Sequence, residues 1–276
     1  MALEFGVFDH IEPVPNMGLQ ETYDLRMQQI EVLDQAGYYA YHLAEHHTPA
    51  VHSLAPSQNV FLAAVSQRTS KIRFGPGICV LPLHHPVQLI EEYCMLDHLS
   101  NGRLELGVGR GIVPYEVARF GVDPEEGRAM FDDALVVLLK GLQNETLNHE
   151  GEFYNYKDIK FWIKPYQKPH PPIGVASVSP GSETLKIAGE RGFIPMSLAF
   201  NEDYVISHWE AVLEGAKRSG KTPSRKDWRI TRDVWVADSD DEAYDQAING
   251  MLGRVWGEYL LPLFDQFQLL HVIKHD

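Results

Sequence analysis

Cysteine is scarce: the 276 residues hold two, Cys79 and Cys94. Each falls in an apolar segment and reads as a buried free thiol, so neither a disulfide framework nor a Cys-based metal site is expected. Long apolar runs are also lacking. Apolar residues make up 44% of the chain, yet no run approaches the ~20 residues of a membrane span. Positive charge is short, with 24 Lys and Arg against 38 Asp and Glu and a net charge of −14. Such a surface repels phosphate backbones and argues against nucleic-acid binding. An anionic ligand must therefore be captured locally, by a few arginines and backbone N–H groups. The start, Met1-Ala2-Leu3-Glu4-Phe5, lacks the basic region and apolar core of a leader, which points to a cytoplasmic protein. No internal repeat or low-complexity tract is present.

What is there is a regular alternation of apolar runs with helical spacing. Strands are expected at 3–9, 38–43, 71–81, 103–108, 173–177, 193–198 and 229–237. Helices are expected at 20–36, 59–68, 86–99, 128–144, 180–190 and 202–219, with a last helical stretch from about 240 to 267. In the first helix, Tyr23, Met27, Ile30 and Leu33 recur at helical spacing and Gly37 follows as a stop. Strand–helix alternation at these intervals means parallel βαβ units. With no Gly-x-Gly-x-x-Gly after the first strand, an α/β TIM (β/α)8-type barrel suits the pattern better than a doubly wound sheet. The count is one unit short: no eighth strand–helix pair is evident, and a barrel lacking a strand leaves two edges to cover. Residues 146–172, a hairpin followed by a connector with four prolines, read as an insertion after the fourth helix. Residues 1–276 are expected to form a single domain, irregular over about 240–276.

In such a barrel, chemistry collects at the carboxyl ends of the strands. Two runs fall there: Ala44-Glu45-His46-His47 and Gly107-Val108-Gly109-Arg110-Gly111. An imidazole at His46 can move a proton near pH 7. It can equally be a structural histidine bonded to Glu45 or to a loop carbonyl. His47 points the other way, because side chains alternate along a strand. Metal is the rival use for His42, His46, His47, His52, His84 and His85. Yet no His-x-His follows the first strand and no His-Glu-x-x-His is present, so no metal site is expected. Arg110 is either a forked donor for phosphate or the ion-pair partner of one of many carboxylates. In Ser179-Pro180-Gly181-Ser182-Glu183-Thr184, Ser179 is a candidate N-cap and Pro180 a first helical residue. That segment is either an anion site or an ordinary capped helix. Combined with Arg110 and Arg128, it could neutralise one phosphate monoester. Gly75 and Gly77, inside a central strand, mark close ligand contact or simple curvature.

Further runs join these: Val80-Leu81-Pro82 with His85-Pro86-Val87, Leu96-Asp97-His98-Leu99-Ser100-Asn101-Gly102-Arg103, Gly127-Arg128-Ala129, and Ala188-Gly189-Glu190-Arg191-Gly192. In order and spacing, over roughly residues 3–240, the sequence resembles the luciferase-like flavin-dependent monooxygenase family. The resemblance implies a TIM barrel binding FMN at its carboxyl rim. It implies that reduced flavin and O2 form a C4a-(hydro)peroxide that oxygenates a small neutral organic substrate. By position it implies a catalytic role for His46 and phosphate contacts from Arg110, Arg128, Ser179, Gly181, Ser182 and Thr184. It also implies a non-prolyl cis bond at Gly77–Ile78, beneath the flavin ring. A separate flavin reductase would supply the reduced FMN, and two copies would pair through helices 59–68 and 86–99, which carry Val60, Phe61, Leu89, Ile90 and Met95. Glu45-His46-His47, in place of an Asp-His pair, favours FMN over the deazaflavin F420. Gly109 stands where light-emitting members have a reactive cysteine, so neither thiol chemistry nor light emission is expected. The alternatives are a non-catalytic flavin-binding protein with an incomplete barrel and, third, a metal-dependent barrel hydrolase.

Overall fold

In the computed structural model, which describes residues 3–51 and 53–273, the first apolar run forms strand β1 (Gly6–Asp9). Helix α1 (Leu19–Ala36) returns the chain to β2 (Ala40–Leu43), and α2 (Gln58–Arg68) leads to β3 (Arg73–Pro76). β1, β2 and β3 are parallel neighbours in that order. The expected third strand is divided. β3 pairs with β2, and after a break at residues 77–78 the two-residue β4 (Cys79–Val80) pairs with β5 (Leu106–Gly109). A single bridge from Phe74 to Leu104 joins the two sets. Helix α3 (Pro86–Leu99) lies between β4 and β5 in sequence.

After β5 come a short helix, α4 (Pro114–Arg119), and the long α5 (Gly127–Gln143). The expected hairpin is present as antiparallel β6 (Thr146–Glu150) and β7 (Asn155–Lys160). β8 (Ile173–Ser177) then pairs in parallel with β5. The core of this first unit, Met1–Val175, is built on Tyr41, Phe74, Tyr93, Leu104 and Phe131, all fully buried.

The second unit, Ala176–Asp276, contains α6 (Glu183–Arg191), β9 (Ile194–Leu198), α7 (Glu202–Ser219) and β10 (Arg229–Thr231). β9 and β10 are parallel. The strand expected over 229–237 stops at Thr231, and no strand follows it among the described residues. The chain then turns helical through α8 (Asp240–Asn249), α9 (Met251–Arg254), a π-turn at Val255–Leu260 and α10 (Leu261–Gln266). The architecture is α/β with parallel sheets. Among the described residues, no helix is long and apolar enough to cross a membrane.

One buried carboxylate sets the geometry between α1 and β3. Asp34 accepts from the N–H groups of Ser70, Lys71 and Ile72 at 3.0, 2.7 and 2.6 Å, and from the Ser70 hydroxyl at 3.2 Å. Burial alone would raise its pKa, but these four bonds outweigh burial and hold it below the usual carboxylate value. Asp34→Ala leaves three backbone donors without an acceptor and should cost about 3 kcal/mol in chemical denaturation at neutral pH. Because the folded-state pKa is depressed, the stabilisation is complete above the unfolded value of ~3.9 and is lost as pH falls from there through the folded value. An unchanged denaturation midpoint in the variant would refute this role.

Candidate functional site

β2 ends at Leu43, and the next four residues turn across the carboxyl rim of the first unit. Their side chains divide as alternation demands. The His46 ring turns to helix α4, where Nδ1 lies 3.1 Å from Glu116 Oε2. The other oxygen of that carboxylate accepts the His47 backbone N–H at 2.6 Å. Two more contacts fasten α4 to this loop: Arg119 donates to the His47 carbonyl, and the Tyr115 hydroxyl to Thr48 Oγ1 at 3.2 Å. A carboxylate accepts and does not donate, so the geometry assigns the hydrogen to His46 Nδ1. Nε2 is thereby left to take up or release a proton. The Glu116 side chain is 7% exposed and that of His46 18%, so the pair is shielded yet reachable.

The ring of His10, just beyond β1, meets His46 edge-on with centroids 5.4 Å apart. Burial, with a smaller effect from neighbouring His46, depresses the His10 pKa to about 4. His10 is therefore neutral at physiological pH. The sequence offered Glu45 or a loop carbonyl as the structural partner of His46; the partner is Glu116, seventy residues along the chain.

Glu45 serves the other side of the turn. Its Oε1 meets His47 Nε2 at 2.9 Å and His84 Nε2 at 2.7 Å, while Oε2 accepts the Val80 N–H at 2.8 Å. Burial works to raise the Glu45 pKa, but these partners hold it below the usual range. Burial likewise works against a charged His84, but Cys79 and Glu45 outweigh it and raise the pKa to about 11. Cys79 itself is buried and its thiol pKa is raised, chiefly by desolvation.

The Gly77–Ile78 peptide bond is cis. Gln58 Nε2 donates to the Leu43 carbonyl and, at 3.3 Å, to that of Ile78. The glycines of the β5 run serve packing rather than ligand approach. A Cβ on Gly107 would fall 2.2 Å from the Pro76 carbonyl oxygen, and one on Gly109 would fall 2.7 Å from Ile78 Cδ1. Arg110, the next residue, is exposed and makes no ion pair among the described residues. The carboxylate partner offered as its alternative role is not found. Arg128 does have one, with Nε 2.9 Å from Asp132 Oδ2 a turn away.

In the second unit the expected helix start moves three residues. The N-cap of α6 is Ser182, whose hydroxyl accepts the Leu185 N–H at 3.4 Å, and the helix begins at Glu183. Gly181, at φ +58°, lies in the left-handed region, so Pro180 and Gly181 cannot be the first helical turn. Ser179 instead offers its carbonyl to His208 Nε2 at 2.9 Å, and the Gly181 N–H donates to the Ser207 hydroxyl at 3.1 Å. At the start of α6, which contains Thr184, the Leu185 and Lys186 N–H groups both donate to the Ser182 carbonyl at 3.1 Å. Of the histidines weighed as metal ligands, His52 lies outside the described residues, and His85 packs edge-on against Tyr156.

The sequence family described as luciferase-like monooxygenase matches residues 3–269. The chain belongs to the luciferase-like monooxygenase family. Within it, 4-hydroxyprotoasukamycin monooxygenase of Streptomyces nodosus subsp. asukaensis is 31% identical over 267 residues, which cover 93% of this chain and 70% of that protein. An uncharacterized protein of Sinorhizobium fredii, y4wF, is 41% identical over 180 residues. That match takes in 65% of this chain and 52% of the relative, so the chain spans about half the relative's length. Among solved structures, the oxygenating constituent of 3,6-diketocamphane monooxygenase from Pseudomonas putida, in complex with FMN, superimposes with a TM-score of 0.88 at 27% identity. That comparison covers 99% of this luciferase-like chain and 78% of the other.

Sequence reasoning missed Glu116, His10 as the neighbour of His46, and the Glu45 hub. The available signal for Glu116 is weak: an acidic residue two positions after Pro114, between the expected strand 103–108 and the expected helix 128–144.

Proposed function

We propose that this chain is the oxygenating component of a flavin-dependent monooxygenase. It takes reduced FMN from a separate flavin reductase and uses O2 to oxygenate a small, neutral, partly apolar organic substrate. The observation that carries this reading is the His46–Glu116 pair at the strand rim, with neutral His10 beside it. A histidine whose Nδ1 is fixed by a buried carboxylate is a proton carrier at Nε2.

The residues fit FMN. Arg110 is an exposed forked donor with no ion-pair partner among the described residues, suited to a phosphate. Arg128, Ser179, Gly181, Ser182 and Thr184 are the remaining proposed phosphate contacts, those on α6 acting through a helix start that favours anions. Gly77 and Ile78 are the proposed support for the flavin ring. When bound, reduced FMN supplies two electrons and activates O2, one atom entering the substrate and the other leaving as water. The chain's own part is to bind and orient, to keep water away with the apolar residues of the rim, and to move a proton at His46 Nε2. The Glu45-His46-His47 run and the FMN complex of the Pseudomonas putida relative support FMN over F420. That relative is an oxygenating constituent by description, which supports a separate reductase. Reduced flavin is lost to O2 in the open, so a cytoplasmic setting suits the supply.

The decisive experiment mixes the protein with reduced FMN and air and measures oxygen uptake with and without candidate substrates. FMN binding with no substrate-dependent uptake across a broad neutral panel would favour the non-catalytic alternative. Arg110→Ala should weaken FMN binding by about tenfold, the worth of one charge-assisted contact; unchanged affinity by fluorescence titration would remove Arg110 from the phosphate site. Val60 on α2 and Met95 on α3 are 74% and 57% exposed, which supports pairing of two copies through these helices. Light scattering at micromolar concentration should give twice the monomer mass, and a monomer would refute the pairing.

A further inference from the structure

We propose that the buried cluster of Glu45, Cys79 and His84 is a binding site for one thiophilic divalent cation of the zinc class. The Glu45, Cys79 and His84 donor atoms all lie within 4.8 Å of one another. Glu45 Oε1 also stands 2.9 Å from His47 Nε2. Zinc bonds of ~2.0–2.3 Å in a tetrahedron place donor atoms roughly 3–4 Å apart, so the cluster needs only a small expansion. On binding, the ion takes the place of the hydrogens that now bridge these atoms. The Cys79 thiol proton and the Nε2 proton of the cationic His84 both leave to solvent, sulfur–metal, nitrogen–metal and oxygen–metal bonds form, and no redox change occurs.

Three further observations point to an ion. The donor set is mixed: a sulfur, an imidazole and one carboxylate select zinc-class ions over magnesium or calcium, which prefer oxygen alone. The outer contacts are already in place. The Val80 N–H fixes the second oxygen of Glu45, as second-shell donors do for ligating carboxylates. The Tyr93 hydroxyl is fully buried and has no hydrogen-bond partner among the described residues. Finally, there is a way in: Glu45 is 1% exposed at its side chain, but His84 is 31% exposed and forms the outer wall.

Three protein ligands leave the fourth tetrahedral position to water, and the burial of Glu45 and Cys79 makes the ion a clamp between chain segments. The ligands come from two segments, the turn after β2 and the stretch from β4 to His84. An ion would clamp them together and stiffen the turn that carries His46 without touching His46 itself. The inference does not depend on the flavin reading, because none of its ligands is assigned to the flavin.

The test uses the full chain, stripped with a chelator and titrated with Co2+ as a spectroscopic probe, then with Zn2+. The expected result is one equivalent of Co2+, a thiolate-to-cobalt charge-transfer band with tetrahedral visible bands, and loss of both on adding Zn2+. Cys79→Ser should abolish the charge-transfer band. His84→Gln, whose amide can still donate to Glu45 Oε1, should weaken Zn2+ binding about ten- to a hundredfold, with circular dichroism confirming the fold. His149→Gln, at the separate pair with Asp133, should change nothing. Absence of the band in the unsubstituted protein, or Zn2+ binding at full strength in His84→Gln, would overturn the assignment.

Discussion

His46→Ala is expected to lower substrate oxygenation by about 10²- to 10⁴-fold, the range of a lost proton-transfer group. FMN affinity should stay within about a factor of three. The split follows from the geometry. The His46 ring is held by Glu116 at Nδ1 and meets His10 edge-on, and its Nε2 has no hydrogen-bond partner among the described residues. The variant removes a proton carrier but leaves Arg110 and the α6 helix start unaltered. The measurement is turnover with reduced FMN and O2, alongside flavin titration. Turnover within threefold of the unsubstituted protein would take His46 out of the chemistry.

Glu116→Gln should cost almost as much, about 10²-fold or more, for a different reason. An ionised carboxylate demands a hydrogen from Nδ1. A glutamine side chain can still accept the His47 N–H through its carbonyl oxygen, but it then turns its amide NH2 towards His46 Nδ1. Nδ1 becomes the acceptor, the ring hydrogen moves to Nε2, and the nitrogen meant to take up a proton is blocked. The loss should fall in kcat with little change in KM, and Glu116→Asp, which keeps the charge, should recover part of the activity. If Glu116→Gln and Glu116→Ala merely lowered the melting temperature and left kcat unchanged, the role would be structural alone.

These two residues show what a sequence can disclose. His46 was found because a histidine after an apolar run is a local signal. Glu116 pairs with it across seventy positions, and a local reading has no access to such a pairing. The same contrast runs through the fold. α3 spans Pro86–Leu99, as expected, because proline at its start and Ser100-Asn101-Gly102 at its end are both local signals. The strand expected over 229–237 fails after Thr231. Val234 and Val236, β-branched residues that suggested a strand, are 71% and 83% exposed and pair with nothing in a sheet. Ser179 had the composition of a cap, but the left-handed backbone at Gly181 hands that role to Ser182. The glycines of the β5 run were legible as glycines; that they face Pro76 and Ile78 depends on which strands become neighbours.

That last arrangement bears on how the site can change over generations. Position 107 is closed outright, because any side chain there meets the backbone of a neighbouring strand. Position 109 is closed only conditionally, because what stands in the way is the tip of one side chain, Ile78. A cysteine at 109 is therefore reachable along a path with a fixed order: residue 78 first shrinks or turns aside, and only then does 109 accept a side chain. The two positions form one heritable unit, and the effect of a substitution at either is set by the residue at the other.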